Sequence, residues 1–140
     1  MAKESLKISR LYKDLDLSFT PKEEPGSEQG PSDVAKLVDV NAAKQALRIL
    51  INTNFYERPF DPGKAANLRG YLFEPMSKLT ANSISATIKN VVASYEPRVK
   101  IQSISVIANL DTNAYDVSIM FFVIGIDKPQ KLTANLKRLR

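Results

Sequence analysis

Three glutamates stand where the sequence predicts a break between structural elements, each next to an arginine or a proline. They are Glu57, Glu74 and Glu96. A glycoside hydrolase works with two carboxylates about 5–9 Å apart in unequal environments, and two of these glutamates could supply such a pair. The same residues also fit a structural role. Glu57–Arg58 and Glu96–Arg98 stand where the chain changes direction, and charge-assisted hydrogen bonds commonly hold such corners. The spacing of residues along the sequence does not give their distance in space, so both roles stay possible at this point. We favour the structural role.

The composition excludes most other enzyme chemistry. The 140 residues contain no histidine and no cysteine, which removes Ser–His–Asp and Cys–His catalysis as well as histidine or thiolate zinc sites. The five glycines are scattered and form no phosphate-binding loop. No calcium-loop pattern surrounds Asp14, Asp16 or Asp111. We therefore predict no catalytic residue, no metal and no cofactor.

The net charge of +5 comes from the end of the chain. Residues 1–30 carry five basic and six acidic side chains, residues 31–127 carry ten and nine, and residues 128–140 carry five basic side chains and no acid. A nucleic-acid-binding face usually interleaves aromatic with basic residues, and this basic segment has no aromatic residue. We interpret it as a charged edge and predict no nucleic-acid partner.

The length fits one compact domain with a polar segment before it. Residues 21–31 contain only proline, glycine and polar residues, a composition that cannot bury enough surface to order itself. We predict an N-terminal arm at 1–20, a flexible loop at 21–33 and a single α+β domain at 34–140. The start of the chain lacks the apolar run of a signal peptide, and no stretch is long enough to span a membrane. We expect a cytoplasmic chain with no membrane partner.

Two main helices are predicted from apolar residues spaced three and four apart. The first runs over residues 40–51, with Asp39 or Asn41 as its N-cap. The second begins after an N-cap at Thr80 and ends before Pro97, because the residue before a proline is pushed out of the α region. The segment between them, residues 52–63, carries three aromatic rings that we expect to fold down onto the protein, and a short helix is predicted at 65–72.

Strands are predicted on either side of these helices. A short edge strand is expected at 34–38. Beyond Pro97, the apolar alternation changes phase, which requires a β-bulge near Gln102–Ser103. A turn at 109–113 leads to a strand at 115–124 with apolar residues on both faces, and residues 131–137 favour a lysine-bearing edge strand over a helix. The predicted class is α+β, with two main helices packed on a small antiparallel or mixed sheet.

Three ordered motifs carry a resemblance to a known family. They are Thr53-x-x-x-Glu57-Arg58-Pro59-Phe60-x-Pro62, Leu72-Phe73-Glu74-Pro75 and Tyr95-Glu96-Pro97-Arg98-Val99. In this order and at these intervals they resemble the gene-25-like baseplate wedge, or sheath-initiator, family of contractile bacteriophage tails. That family includes the corresponding baseplate subunit of type VI secretion systems, and some of its members bear an older lysozyme label. It commonly has glycine just before the Glu-Arg-Pro-Phe run, where this chain has Tyr56.

The resemblance implies a structural protein similar to the inner domain of tail-sheath subunits. It implies a non-enzymatic baseplate wedge component that initiates sheath assembly through strand-mediated contacts and binds the helical core bundle of the wedge. The implied partners are other wedge proteins and the tail-sheath protein, with the tail tube as a further candidate and six copies per baseplate. The implied location is the virion tail baseplate, assembled in the host cytoplasm. The alternatives are a peptidoglycan-hydrolysing, lysozyme-like enzyme and a type VI secretion baseplate subunit.

The resemblance also assigns roles to three groups of residues. The partner-binding group is Glu96, Pro97 and Arg98. The group expected to brace the fold is Glu57, Arg58, Pro59, Phe60, Glu74 and Pro75. The strand expected to contact the sheath is Lys131, Leu132, Thr133, Ala134, Asn135, Leu136 and Lys137.

Overall fold

The computed structural model describes residues 12–18, 21–22 and 32–138. Two α-helices and antiparallel strands make up this part of the chain, which confirms the predicted α+β class. The chain divides into two compact units, one ending at Ala43 and the other beginning at Lys44. Within the described residues, we find no helix whose length and hydropathy would let it cross a membrane.

Four short strands belong to the first unit. They are β1 (Lys13–Leu15), β2 (Pro21–Lys22), β3 (Ser32–Val34) and β4 (Lys36–Val38). β1 pairs antiparallel with β4, so the predicted arm does contain an extended segment. β2 pairs antiparallel with β3, so the two ends of the predicted 21–33 loop form a small ladder. Residues 23–31 of that loop lie outside the described residues.

The first long helix, α1, spans Val40–Asn52, and its predicted position is confirmed. Its apolar stripe is buried at Ala43, Leu47 and Leu50. The residue before it, Asp39, has a φ of 47°, and its carboxylate accepts the N–H of Tyr12 at 3.2 Å. Asn41, the other predicted cap, lies inside the first turn instead, because the helix already begins at Val40.

The segment after α1 corrects the prediction of a helix at 65–72. Only a short 3₁₀ turn forms there, at Gly70–Phe73. The N–H of Ala66 donates to the carbonyl of Leu50 at 3.2 Å, and the N–H of Asn67 donates to the carbonyl of Thr53 at 3.2 Å. These bonds satisfy backbone groups at the end of α1 that lack helical partners. The same bonds tie the following segment to the end of α1, and Asn67 has a φ of 46°, which lies outside the right-handed helical region.

The second long helix, α2, spans Lys78–Tyr95. Its N-cap is Ser77, whose hydroxyl accepts the N–H of Thr80 at 3.1 Å, so the prediction of Thr80 as the cap is wrong by three residues. Thr80 is instead buried and donates its hydroxyl to the carbonyl of Pro75 at 2.9 Å. The helix ends at Tyr95, two residues before Pro97, as predicted.

Three antiparallel strands form the main sheet, in the order β5–β6–β7. They span β5 (Val99–Asn109), β6 (Ala114–Val123) and β7 (Ile126–Lys137). α2 packs against β5. The register of β5 against β6 shifts between Ile101 and Ser103, which confirms the predicted bulge. Residues 131–137 form part of a strand, as favoured, but that strand begins earlier, after a tight turn in which Gly125 has a φ of 87°.

The core of the sheet lies on one face of β6. Its inward side chains are all buried, and they alternate with more exposed ones, as the period of two requires. They are Tyr115, Val117, Ile119, Phe121 and Val123. The opposite face is half-buried at Met120 and Phe122.

This packing predicts a large difference between two isoleucines of the same sheet. Ile119 is fully buried, whereas Ile107 on β5 is 63% exposed. We expect Ile119→Ala to lower the free energy of unfolding by about 3 kcal/mol, since it leaves a cavity in the core. The matched control Ile107→Ala should cost under about 1 kcal/mol. Urea unfolding followed by circular dichroism measures both, and equal losses would contradict the assignment of the core face.

Candidate functional site

The turn from α2 into β5 is built around one ion pair. The Arg98 guanidinium donates from Nε to Glu96 Oε1 at 2.5 Å and from its terminal nitrogen to Oε2 at 2.7 Å. The Glu96 side chain is 8% exposed and that of Arg98 is 28% exposed. Two parallel charge-assisted bonds of this kind fix geometry as well as adding energy. We call residues 96–98 the α2–β5 corner.

Backbone bonds hold this corner to the elements on both sides. The N–H of Glu96 donates to the carbonyl of Val92 at 2.9 Å, and the carbonyl of Glu96 accepts the N–H of Val99 at 3.1 Å. The carbonyl of Arg98 accepts the N–H of Ile124 at 2.9 Å. The corner is therefore tied to the last turn of α2, to the start of β5 and to the turn between β6 and β7.

The segment after α1 contradicts the expectation that its aromatic rings fold down onto the protein. Phe60 is completely exposed, Tyr56 is 86% exposed and Phe55 is 46% exposed. We call residues 54–63 the aromatic loop. Composition alone predicted burial here because large apolar rings usually lie inside a protein. The rings point outward because hydrogen bonds between polar groups, not ring packing, shape the loop.

Those hydrogen bonds close the loop on itself. The Glu57 carboxylate accepts the backbone N–H of Asn54 at 2.8 Å and its side-chain amide at 2.7 Å, so its partner is Asn54 and not Arg58, as the sequence suggested. The N–H of Tyr56 donates to the carbonyl of Pro62 at 3.0 Å. Tyr56 has a φ of 68°, the left-handed conformation that glycine adopts at no cost and a bulky residue rarely adopts. This is the position where the resembling family commonly has glycine.

One side chain links the aromatic loop to the α2–β5 corner. Tyr95, the last residue of α2, donates its hydroxyl to the carbonyl of Gly63 at 3.1 Å. The ammonium group of Lys64 lies 6.0 Å from the centre of the Tyr95 ring. No role was predicted for Tyr95 from the sequence. Its place directly before Glu96 within one of the quoted motifs was the signal that could have singled it out.

The other residues predicted to brace the fold occupy varied environments. Arg58 is half-buried, and Pro59 is exposed. Glu74 is exposed, and its backbone N–H donates to the carbonyl of Tyr71 at 3.2 Å. The carbonyl of Pro75 accepts the Thr80 hydroxyl. The bracing role stays a prediction for this group, because the bonds made by Glu74 and Pro75 involve their backbones.

The predicted sheath-contact strand lies at one edge of the main sheet. Leu132 and Leu136 are buried, whereas Lys131, Thr133 and Lys137 are exposed. Among the strands that the structure describes, β7 pairs only with β6, so its other side carries backbone groups with no strand beside them. Such an edge is a template for another strand.

The three glutamates considered as catalytic candidates have different surroundings. Glu57 lines a hollow of about 300 Å³ beside Arg69 and Lys137. Glu74 lines a second hollow of about 360 Å³, and neither of these two hollows has a second glutamate in its wall. Glu96 is buried against Arg98. The described residues thus bring no two of these carboxylates into either hollow.

Solved structures share this fold. A candidate tail lysozyme from Geobacter sulfurreducens superimposes with a TM-score of 0.64 at 17% identity, covering 70% of this chain and 89% of that one. A chain of the anti-feeding prophage baseplate gives a TM-score of 0.59 at 15% identity, covering 92% of this chain and 87% of the other. A chain of the post-contraction pyocin R2 baseplate gives 0.52 at 17% identity, covering 74% and 90%. At these identities, the likeness shows the fold class alone, that of a small α+β protein.

Sequence comparison narrows the class to a family. The family model described as baseplate wedge protein gp25 matches residues 39–126. The baseplate wedge protein gp25 of Enterobacteria phage T4 is 33% identical over 125 residues, which is 89% of this chain and 88% of that protein. The chain belongs to the gp25 baseplate wedge family and is a structural component of a contractile-tail baseplate.

The hydrogen bonds of Glu57 predict that its contribution to the free energy of unfolding depends on pH. Hydrogen bonds from the Asn54 side chain and backbone hold the pKa of Glu57 below its ordinary value of 4.5, with the nearby Arg69 charge adding to the effect. A carboxyl group whose pKa is lowered by folding stabilises the fold above its unfolded-state pKa, and that contribution is lost as the pH falls through the folded-state value. Glu57→Gln should therefore lower the free energy of unfolding more at neutral pH than at about pH 3.

Urea unfolding at both pH values measures this difference. The matched control is the same substitution in an Asn54→Ala background, which keeps the backbone donor but removes the side-chain donor. The pH-dependent difference should shrink in that background. A difference between wild type and Glu57→Gln that is the same at both pH values would contradict the role of this bond.

Proposed function

We propose that the chain acts in the baseplate through two separate surfaces. The α2–β5 corner holds the helical core bundle of the wedge, and the outer edge of β7 receives or lends a strand when the first sheath ring forms. The observation that carries the second part is that β7 lies at the sheet edge with one strand partner among the described residues. Strand addition of this kind draws its affinity from main-chain hydrogen bonds and its register from alternate side chains.

The support for the corner is its rigidity together with its partial exposure. Pro97 is exposed and Arg98 is half-buried, so a partner can reach both. The Glu96 carboxylate fixes the Arg98 guanidinium in one orientation. A preorganised arginine loses less conformational entropy on binding than one that samples many rotamers.

A test of the corner needs variants that keep the fold. Arg98→Ala alone would leave the Glu96 carboxylate buried without its counter-ion, at a cost of about 2 kcal/mol. The double variant Glu96→Gln/Arg98→Met removes both charges at similar volume, and replacing a buried pair in this way is often close to neutral. We expect the double variant to unfold near the wild-type urea concentration but to enter baseplates at least tenfold less.

The measurement is the amount of each variant in purified baseplates after complementation of a tail that lacks the protein. Lys89→Met is the matched control, because it removes one positive charge from an exposed position of α2. This control should enter baseplates normally. Normal entry of the double variant would contradict partner binding at the corner.

The support for the β7 edge includes its proline. Pro129 lies within β7, and a proline in a paired strand is tolerated where its nitrogen faces away from the neighbouring strand. Alternate residues of a strand share the direction of their backbone groups. We infer that the N–H groups of Lys131, Thr133 and Asn135 face outward, where an added strand would need them.

This inference sets the test of sheath initiation. Removing residues 130–140 would not isolate the edge, because Leu132 and Leu136 belong to the core. Thr133→Pro instead deletes one outward N–H, and Thr133→Ala is the control that changes the side chain but keeps the donor. We expect both variants to fold and enter baseplates, and only Thr133→Pro to reduce the number of sheathed tails in electron micrographs. Equal sheath formation by the two variants would rule out strand addition at this edge.

We also propose that the protein is not an enzyme. The separation of Glu57 and Glu74 into different hollows, with Glu96 held by Arg98, supports this over a peptidoglycan hydrolase, which needs two cooperating carboxylates. Six copies per baseplate, assembled in the host cytoplasm with other wedge proteins, are the arrangement we propose from the family.

A further inference from the structure

The aromatic loop carries apolar surface that does not stabilise the folded chain by burial. Phe60 is completely exposed and Tyr56 is 86% exposed, so neither ring contributes appreciable buried area. Tyr56 also has a φ of 68°, which is strained for a bulky residue. Strain of this kind concentrates at sites that contact ligands or partners. Stability of the isolated chain therefore does not explain why a tyrosine stands at position 56.

The loop is also held in one shape. Glu57 binds two groups of Asn54, Tyr56 is bonded to Pro62, and Gly63 is bonded to the Tyr95 hydroxyl. These bonds close the loop at its base and fix it to the end of α2. A loop that presents aromatic rings in a fixed geometry loses less entropy on binding than one that must be ordered first.

We propose that the aromatic loop and the α2–β5 corner form one docking surface, on which Phe60 and Tyr56 enter an apolar pocket of another protein of the baseplate. This inference rests on the proposed function of the corner, and it adds which residues supply the affinity and what chemistry the partner offers. Phe, Tyr and Arg are enriched in protein interfaces relative to the rest of the surface, and Tyr and Arg are also enriched among the residues that contribute most of the binding energy.

The shape and charge of the loop indicate the nature of the partner surface. A completely exposed ring projects outward, so its complement is concave. The loop and the residue after it carry two acids, Glu57 and Asp61, and two bases, Arg58 and Lys64. With these charges balanced, the partner needs an apolar pocket and no strongly charged one. The hollow that Phe55 lines contains Asn67 and Glu74, so this part of a second copy offers a partly polar wall and not an apolar pocket.

The area available explains why the corner must belong to the same interface. Two aromatic rings bury about 400 Å² when fully covered, whereas a stable interface buries about 800 Å² on each partner. The loop alone is too small. The Tyr95–Gly63 bond joins it to the corner, whose exposed Pro97 and half-buried Arg98 add to the area.

The first experiment measures entry into baseplates by complementation of a tail that lacks the full chain. We expect Phe60→Ala and Tyr56→Gly to reduce entry at least tenfold, with Tyr56→Gly unfolding at a urea concentration no lower than that of wild type. The matched control is Leu110→Ala, which removes an apolar side chain that is 74% exposed in the β5–β6 turn. This control should enter normally. Normal entry of both loop variants would overturn the inference.

The second experiment identifies what covers the loop. Because the chain has no cysteine, Asp61→Cys introduces a single thiol in the loop. We expect its reaction with a maleimide to be at least tenfold slower in assembled tails than in the free chain, and an equal rate would overturn the inference. A photoreactive benzoyl-phenylalanine at position 60 should form its adduct with apolar side chains of another baseplate protein. An adduct with a second copy of this chain, or with a charged surface, would overturn the proposed occupant.

The two proposals about this region fail in different ways. If the Glu96→Gln/Arg98→Met variant is excluded from baseplates while Phe60→Ala enters normally, the corner binds a partner and the aromatic loop does not. If both enter normally, both proposals are wrong. If Phe60→Ala is excluded and its loss persists when assembly is carried out in raised salt, the apolar nature of the contact is supported. A Phe60→Leu variant that enters baseplates to at least half of the wild-type amount would further support an apolar pocket.

Discussion

The corner where α2 turns into β5 is the constraint on which the arrangement of the second unit depends, and the Glu96–Arg98 ion pair lies at its centre. α2 ends at Tyr95, two residues before Pro97, and the Glu96 carboxylate is buried where the chain turns. A carboxylate can be buried only when its charge and its hydrogen-bonding capacity are satisfied, and the Arg98 guanidinium does both. With Arg98 held in this way, its carbonyl meets the N–H of Ile124 and ties the β6–β7 turn to the same point. Helix, sheet and turn therefore meet at this corner, where backbone hydrogen bonds join them and one pair of side chains fixes the local geometry.

The main sheet separates the residues that stabilise it from those that can meet another protein. One face of β6 is buried throughout, whereas its other face carries Asp116, whose carboxylate accepts an amide N–H of Asn135 at 2.6 Å. β7 follows the same rule, with leucines inward and lysines outward. Lysines on an edge strand discourage pairing with arbitrary strands. A partner strand must then have side chains that accommodate these lysines. The edge can thus stay open in the free chain and still accept a specific strand.

Elements governed by local pattern could be predicted from the sequence, and those governed by distant partners could not. Both long helices and the bulge at Gln102 follow from spacing that is visible within a few residues. The helix expected at 65–72 does not form because Ala66 is bonded to the end of α1, a tertiary contact that periodicity does not report. The corner could be located from the order of its residues. Its link to the aromatic loop joins Tyr95 to Gly63, 32 positions away, and no local rule connects them.

The exposed rings of the aromatic loop show why stability alone does not explain this sequence. A chain selected only to fold would have glycine at position 56, since a left-handed backbone costs a bulky residue about 1–2 kcal/mol. It would also gain nothing from Phe60, which no neighbouring side chain covers appreciably. The hydrogen bonds of Glu57 and Pro62 nevertheless preserve this geometry. Because domains are only marginally stable, strain of this size is a substantial fraction of the total, and it persists in a protein whose role is to be one part of a larger assembly. Its compensating free energy then comes from burial against a neighbour, in the assembled baseplate and not in the free chain.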